Sequence, residues 1–398
     1  MQTELSSIDR EGELLLICAR NRPDVSRGRL EELLSEGPDW QYLLKAADRH
    51  GLLPLLYRTL REAQDQVPPA VLSDLRRSYL FNSQRNHLLT GELLRLLERF
   101  EAEGILAIPF KGPVLSQELY GDVAFRMFTD LDVLVRREDI LRAKEILISE
   151  GYSPENILTE AQERVFLRSG HHYHFYNQKS VHLEVHWQVS PSIYCFPLTT
   201  KDIFSRAARK VIFGKELLTV SPEDLLLVLC EHGARHYWRR LAWIGDLDRL
   251  VESKRIDWRA VASRSERMGC YRLLLLGLFL ANGLLCTPLP LEISIHPHEE
   301  TKVAHLVEET ATRLLARDAQ IEAESRLPDI GEELLYLRAK ERLRDKAGYY
   351  IRRATTPTTD DWSSMPLPGQ LAPLYYVLRP VRLMNKYGIG IRRWLKRE

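Results

Sequence analysis

ILAIPFKGPVLSQELYGDVAFRMFTDLDVLV, residues 105–135, holds two apolar runs separated by a glycine turn and a helical stretch. The first run, Ile105 to Phe110, reads as a short buried strand that stops at Lys111-Gly112. A helix is expected next, then Arg126, and then a second strand opened by Asp130-Leu131-Asp132 and running to Val135. Side chains alternate between the faces of a strand, so Asp130 and Asp132 share one face while Leu131, Val133 and Val135 point to the other. Two carboxylates side by side repel each other and need a compensating cation. Oxygen-only ligands of this kind suit Mg²⁺, which is held by one or two carboxylates together with substrate phosphates. The pattern implies phosphoryl or nucleotidyl transfer.

Composition sets loose bounds. A chain of 398 residues can bury a large core and has room for two or three structural units. The net charge of +1 is uninformative, but residues 331–398 carry 14 Lys plus Arg against 7 Asp plus Glu. The five cysteines are scattered and form no C-x-x-C pair, which points to reduced thiols and away from a disulfide frame or zinc knuckle. The N-terminal stretch MQTELSSIDREGELLL has no basic region leading into an apolar core, so no signal peptide is expected. The longest apolar run, Leu273 to Leu285, is interrupted by Asn282 and falls short of the roughly 18–20 residues that cross a bilayer. No transmembrane segment is expected, and a soluble, cytoplasmic protein is.

Periodicity divides the chain into four parts. Residues 1–103 read as helical, with Leu89, Leu93, Leu96, Leu97 and Phe100 forming one apolar stripe and Gly104 just past its end. Residues 104–215 switch to mixed periodicity. Here REDILRAKEILISEGY is an amphipathic helix, and HHYHFY and VHLEVHW read as strands joined by the polar loop Asn177-Gln178-Lys179-Ser180. In the second strand Val181, Leu183, Val185 and Trp187 occupy one face, and His182, Glu184 and His186 the other. Residues 216–330 return to helices behind the capping run Ser221-Pro222-Glu223-Asp224. Residues 331–398 form a basic C-terminal helix or tail, interrupted at 354–373 by a Pro-, Thr- and Ser-rich connector.

KGPVLSQELY…R…DLDVLV…HLEVHW resembles an uncharacterised nucleotidyltransferase family within the DNA polymerase beta-type superfamily. The resemblance extends upstream to HGLLPLLYRTL and downstream to RLAWIGDLDRLV. It implies an α+β fold: a nucleotidyltransferase-like small mixed β-sheet core flanked by helical N- and C-terminal regions. It implies an enzyme that moves an NMP group from an NTP to a hydroxyl or phosphate acceptor by a Mg²⁺-dependent two-metal mechanism. Asp130, Asp132 and Glu184 are then the catalytic metal ligands, with Glu184 completing the nucleophile-side metal or acting as base. Lys111, Gly112 and Arg126 are the nucleotide-binding residues: a mobile cation, a close backbone approach, and a planar guanidinium fork. The usual Gly-Ser turn of the superfamily is Lys111-Gly112-Pro113 here.

Other readings compete. The acids could be solvated or capping groups, Lys111 a surface lysine, and Arg126 part of a structural salt bridge. The histidines 171, 172, 174, 182 and 186 could bind zinc, but zinc favours imidazole with thiolate, and Cys195 is the sole cysteine nearby in sequence. These histidines are therefore expected to face nucleotide or solvent. His232 and His236 lack the H-E-x-x-H order of a metalloprotease, and Asp246 reads as an ordinary helix-face acid or a substrate-side residue. A catalytically inactive nucleotide- or RNA-binding module is the alternative class, and a toxin-type tRNA nucleotidyltransferase is a third. The acceptor stays open among a small molecule, a peptide or protein, and RNA.

Overall fold

The computed structural model describes residues 8–20, 27–253, 256–317, 330–358, 361–362, 371 and 374–383. Four short helices lead the chain: α1 (Arg10–Ala19), α2 (Arg27–Ser35), α3 (Trp40–Arg49) and α4 (Leu53–Glu62). Their starts follow from local chemistry. Asp9 accepts from the Gly12 N–H at 2.8 Å and Asp39 from the Tyr42 N–H at 3.0 Å, while Pro54 sits in the first turn of α4. A long helix, α5 (Pro69–Ala102), follows, and Gly104 beyond it adopts φ +71°.

The mixed-periodicity region folds as β1 (Ala107–Pro109), α6 (Gly112–Tyr120), β2 (Asp130–Val135), α7 (Ile140–Ser149), β3 (Ser153–Pro154), α8 (Glu160–Ser169), β4 (His172–Tyr176) and β5 (His182–His186). The strands form one sheet in the order β1-β2-β5-β4-β3, with β2 and β5 parallel and the other neighbours antiparallel. One sheet face is apolar. Leu131, Val133, Val135, Tyr173, Phe175, Leu183, Val185 and Trp187 are buried there in one cluster with the α5 stripe from Leu89 to Phe100 and with Ile140, Ala143 and Leu147 of α7. Each such aliphatic side chain contributes about 2 kcal/mol. The opposite face carries the polar residues, while Leu134 and Ile108 at its β1 end are buried against the helical half.

A helix α9 (Thr200–Arg206) and a two-stranded hairpin, β6 (Ala208–Ile212) and β7 (Lys215–Thr219), come next. The hairpin spans the boundary expected at residue 215. Its turn, Phe213-Gly214, takes φ +55° and +71°, the doubly left-handed geometry of a two-residue hairpin loop. Phe-Gly lacks the Asn-Gly or Asp-Gly signature, which is why the sequence did not announce it. The rest is helical: α10 (Pro222–Arg235), α11 (Leu241–Ser253), α12 (Trp258–Met268), α13 (Tyr271–Leu285), α14 (Pro297–Leu314), and two helices at Ile330–Ala339 and Leu343–Thr355. The expected α+β fold with helical flanks is observed. Among the described residues no helix is long and apolar enough to cross a membrane, and all five cysteines are free. Of the C-terminal cations, Arg379 and Arg382 are ion-paired with Asp361, and residues 384–398 lie outside the described part.

One buried ion pair ties the sheet unit to the helical half. Asp246 on α11 accepts from Arg126 Nε and Nη2 at 3.1 Å and from the Tyr120 hydroxyl at 2.8 Å. The two side chains are only 10% and 1% exposed. Removing one member of such a pair strands the other charge in a medium that solvates it badly. Asp246→Ala is therefore expected to destabilise the fold by about 3–5 kcal/mol in urea denaturation. An unchanged midpoint and slope would return Asp246 to the class of ordinary helix-face acids.

Candidate active site

The register of the sheet builds the site. β2 and β5 run parallel with Asp130 opposite His182 and Asp132 opposite Glu184. β4 then pairs with β5 so that Tyr176 lies opposite His182, His174 opposite Glu184, and His172 opposite His186. The polar face is thus a grid. One row reads Asp132, Glu184, His174 across three strands, and the next reads Asp130, His182, Tyr176. All three expected carboxylates share this face. Asp132 with Glu184 and His186, and Asp130 with His182 and Glu184, each bring their ligand atoms within 4.8 Å of one another.

Cations on the protein answer this concentration of negative charge. His186 Nε2 lies 3.0 Å from Asp132 Oδ1 and 3.1 Å from Glu184 Oε2. Lys111 Nζ lies 3.6 Å from Asp132 Oδ1 and donates to His232 Nδ1 at 3.3 Å. Burial works against every charge here, but the pairings prevail. His186 is held above its ordinary range by its hydrogen bonds to Asp132 and Glu184. Asp132 is pulled below the usual carboxylate range by Lys111 and His186, and Glu184 by His186. At Asp130 the nearby charge of Lys111 is outweighed. Burial, then repulsion from Asp132 and Glu184, pushes its carboxyl up to about 6.

Lys111 caps the start of α6, two residues past the end of β1, and Gly112 opens α6 with φ +53°. A Cβ on Gly112 would stand 3.3 Å from the Asp130 carbonyl oxygen, so glycine is needed for close packing of the turn against the start of β2. Arg126 does not reach into the grid by its Nε and Nη2 atoms, which Asp246 engages. Of the two readings the sequence left for Arg126, this contact is the structural salt bridge.

Several contributors were not foreseen. Asn82 and Asn86 of α5 are buried, and their amides donate to the carbonyls of Ala124, Val123 and Arg126, holding the loop that leads into Asp130. Arg85 donates to the Phe128 carbonyl at 2.6 Å. The available signal was the N-terminal continuation of the α5 stripe, where Asn appears at helical spacing in place of leucine. On the helical half facing Lys111, His232 and His236 pack against Trp243, with ring centroids 5.0 and 5.8 Å away. Burial keeps His232 neutral, which lets its Nδ1 accept from Lys111. Nothing in the sequence ties residue 232 to residue 111.

The five histidines around Glu184 do not face outward separately. His171 Nε2 meets His172 Nδ1 at 2.7 Å, His172 Nε2 meets His174 Nε2 at 2.6 Å, and His174 Nδ1 meets His182 Nε2 at 2.9 Å. Burial holds His171, His172 and His174 below the ordinary imidazole range.

The model of the uncharacterised nucleotidyltransferase family matches residues 36–285, more than half of the chain, and the chain belongs to that family. No curated protein and no solved structure matches it. The matched region begins before α3 and ends with α13, so it takes in the sheet, the Lys111 turn and the α10–α11 wall together.

The state of Asp130 has a measurable consequence. A carboxyl whose folded value is raised stabilises the fold fully below its unfolded value near 3.8, and that contribution is lost as pH rises through about 6. Asp130→Asn mimics the protonated form at every pH. In metal-free buffer it is expected to stabilise the protein by roughly 2–3 kcal/mol at pH 8 and by nothing at pH 4. Urea melts of both proteins at the two pH values check this, and equal stability at pH 8 would contradict the assigned repulsion.

Proposed function

We propose that the protein transfers a nucleoside monophosphate from an Mg²⁺-bound NTP to a hydroxyl or phosphate acceptor, with Asp130, Asp132 and Glu184 as the metal ligands. The observation that carries this reading is the register that sets Asp132 opposite Glu184 and two residues along the strand from Asp130, beside Lys111. The donor set fits a hard divalent cation. Three carboxylates supply oxygen ligands, and the buried negative charge exceeds what Lys111 and His186 offset. Metal ions bound there supply Lewis acidity, activating the acceptor oxygen and neutralising charge on the triphosphate.

The chain's own groups supply position and charge. Lys111 Nζ is placed beside Asp132, where a triphosphate held by the carboxylates would present its oxygens. The Lys111-Gly112 turn brings backbone close to the start of β2, and the first N–H groups of α6 add donors for phosphate. Arg126 contributes positive charge near Asp130 while Asp246 fixes its guanidinium. His186 Nε2 bridges Asp132 and Glu184, holding the two carboxylates side by side. We assign Glu184 to the acceptor side of the site, as a metal ligand or as the base that takes the acceptor's proton. Three converging carboxylates have no use in an inactive binding module, where their repulsion would cost stability without return.

Two variants test the roles separately. Asp132→Ala is expected to abolish Mg²⁺-dependent affinity for a nonhydrolysable NTP in calorimetry, and equal affinity in both proteins would sink the metal assignment. Glu184→Gln keeps shape and hydrogen bonding but removes charge. Nucleotide binding should survive while transfer of label from an α-labelled NTP to acceptors in an undesalted cell extract falls about a hundredfold or more. Transfer near the wild-type rate would demote Glu184 to a bystander. Chromatography and gel separation of the labelled products sorts small-molecule, protein and RNA acceptors in the same experiment.

A further inference from the structure

The geometry points to a second cation site on the same sheet face, where His172 and His174 of β4 and the Glu184 carboxylate take a divalent transition-metal ion of the Zn²⁺ or Co²⁺ type. This site shares the Glu184 carboxylate with the proposed catalytic centre but takes neither Asp130 nor Asp132 as a ligand.

Distances come first. His172 Nε2 lies 2.6 Å from His174 Nε2 and 3.9 Å from Glu184 Oε2. Two nitrogens each about 2.1 Å from one ion can be at most about 4.2 Å apart. Every separation falls within that limit, and the three ligand atoms lie within 4.8 Å of one another as a group.

The outer nitrogens supply the second argument. A metal-bound imidazole commonly has its other nitrogen fixed by a hydrogen bond, which sets both tautomer and ring plane. His172 Nδ1 meets His171 Nε2 at 2.7 Å, and His174 Nδ1 meets His182 Nε2 at 2.9 Å. If both Nδ1–H groups donate outward, the two Nε2 lone pairs face each other at 2.6 Å. Two lone pairs at that distance repel unless a metal ion lies between them or a proton on one nitrogen makes the contact a hydrogen bond.

Chemistry and access select the ion. Two imidazoles and one carboxylate suit Zn²⁺, Co²⁺ or Ni²⁺ and disfavour Mg²⁺, which prefers oxygen ligands throughout. Two histidines with one carboxylate also leave coordination positions open for water or an acceptor group. The His174 side chain is 31% exposed and that of Glu184 16%, so an ion can enter from the cleft side. Glu184 stands between this site and Asp132 in the same row of the sheet, so one carboxylate borders both cation positions.

Metal-stripped full-length protein titrated with Co²⁺ tests the proposal by calorimetry and by the visible absorption of the bound ion. The wild type is expected to bind Co²⁺ with a spectrum of mixed nitrogen and oxygen coordination. His174→Gln and His172→Gln should each weaken binding about a hundredfold, since each removes a direct ligand. Their metal-free melting temperatures should match the wild type, which separates ligand loss from unfolding. Asp132→Ala should retain Co²⁺ binding at this site. Unchanged Co²⁺ affinity in both histidine variants overturns the proposal. Binding lost in Asp132→Ala but kept in the histidine variants also overturns it, by placing the ion among the Asp carboxylates. Absence of Co²⁺ binding to the wild type would leave the imidazoles as a hydrogen-bond ladder only and would overturn it equally.

Discussion

Like charges on neighbouring strands repel, and the arrangement of this molecule around β2 and β5 answers that repulsion. Parallel pairing puts Asp132 directly opposite Glu184, with Asp130 one step along the same face. A half-buried setting amplifies the cost of three ionised carboxylates. The protein divides the burden unequally. His186 bridges two of the acids and Lys111 leans on one of them, while Asp130 keeps its proton to higher pH. The result is a row of acids in which one member is readily switched by a cation and the others are already ionised.

Such a site needs a frame that does not relax away from the strain. The apolar face of the same sheet supplies it, packed on α5 and α7 with little room for the strands to slip. The loop into Asp130 is pinned from behind by Asn82 and Asn86, and from the side by Arg126 on Asp246. Helix α5 therefore does two jobs along its length. Its C-terminal half packs the sheet and its middle fixes the approach to the acids.

The sequence made the local part of this plain. Alternation in DLDVLV and VHLEVHW placed the acids on one face and the core residues on the other, and the pairing in the structure keeps both assignments. The glycine turn between the first strand and its helix was equally legible. What sequence could not supply was pairing over distance. Lys111 with His232, and Arg126 with Asp246, join residues more than a hundred positions apart, and no periodicity connects them. The β6–β7 hairpin escaped because its turn is built on Phe213-Gly214. The histidines were read singly, as strand-face residues, whereas their meaning depends on which strand lies beside which. Once β4 is laid against β5, residues 172, 174, 182 and 184 become neighbours.

Lys111 is held from two sides, by Asp132 on the sheet and by His232 on the facing helix. A free lysine side chain samples many rotamers, and freezing it costs up to about 2 kcal/mol. Folding has already met that cost, so an arriving anion finds an amine that is stationed in advance. The amine also spans the gap between the two halves of the molecule. Were the helical wall to swing away from the sheet, Lys111 would have to abandon one partner, so the width of the cleft and the position of its positive charge are mechanically linked. A side chain four methylenes long thus serves as a spacer as well as a charge, and it fixes how far from the acids the negative end of a bound molecule can rest.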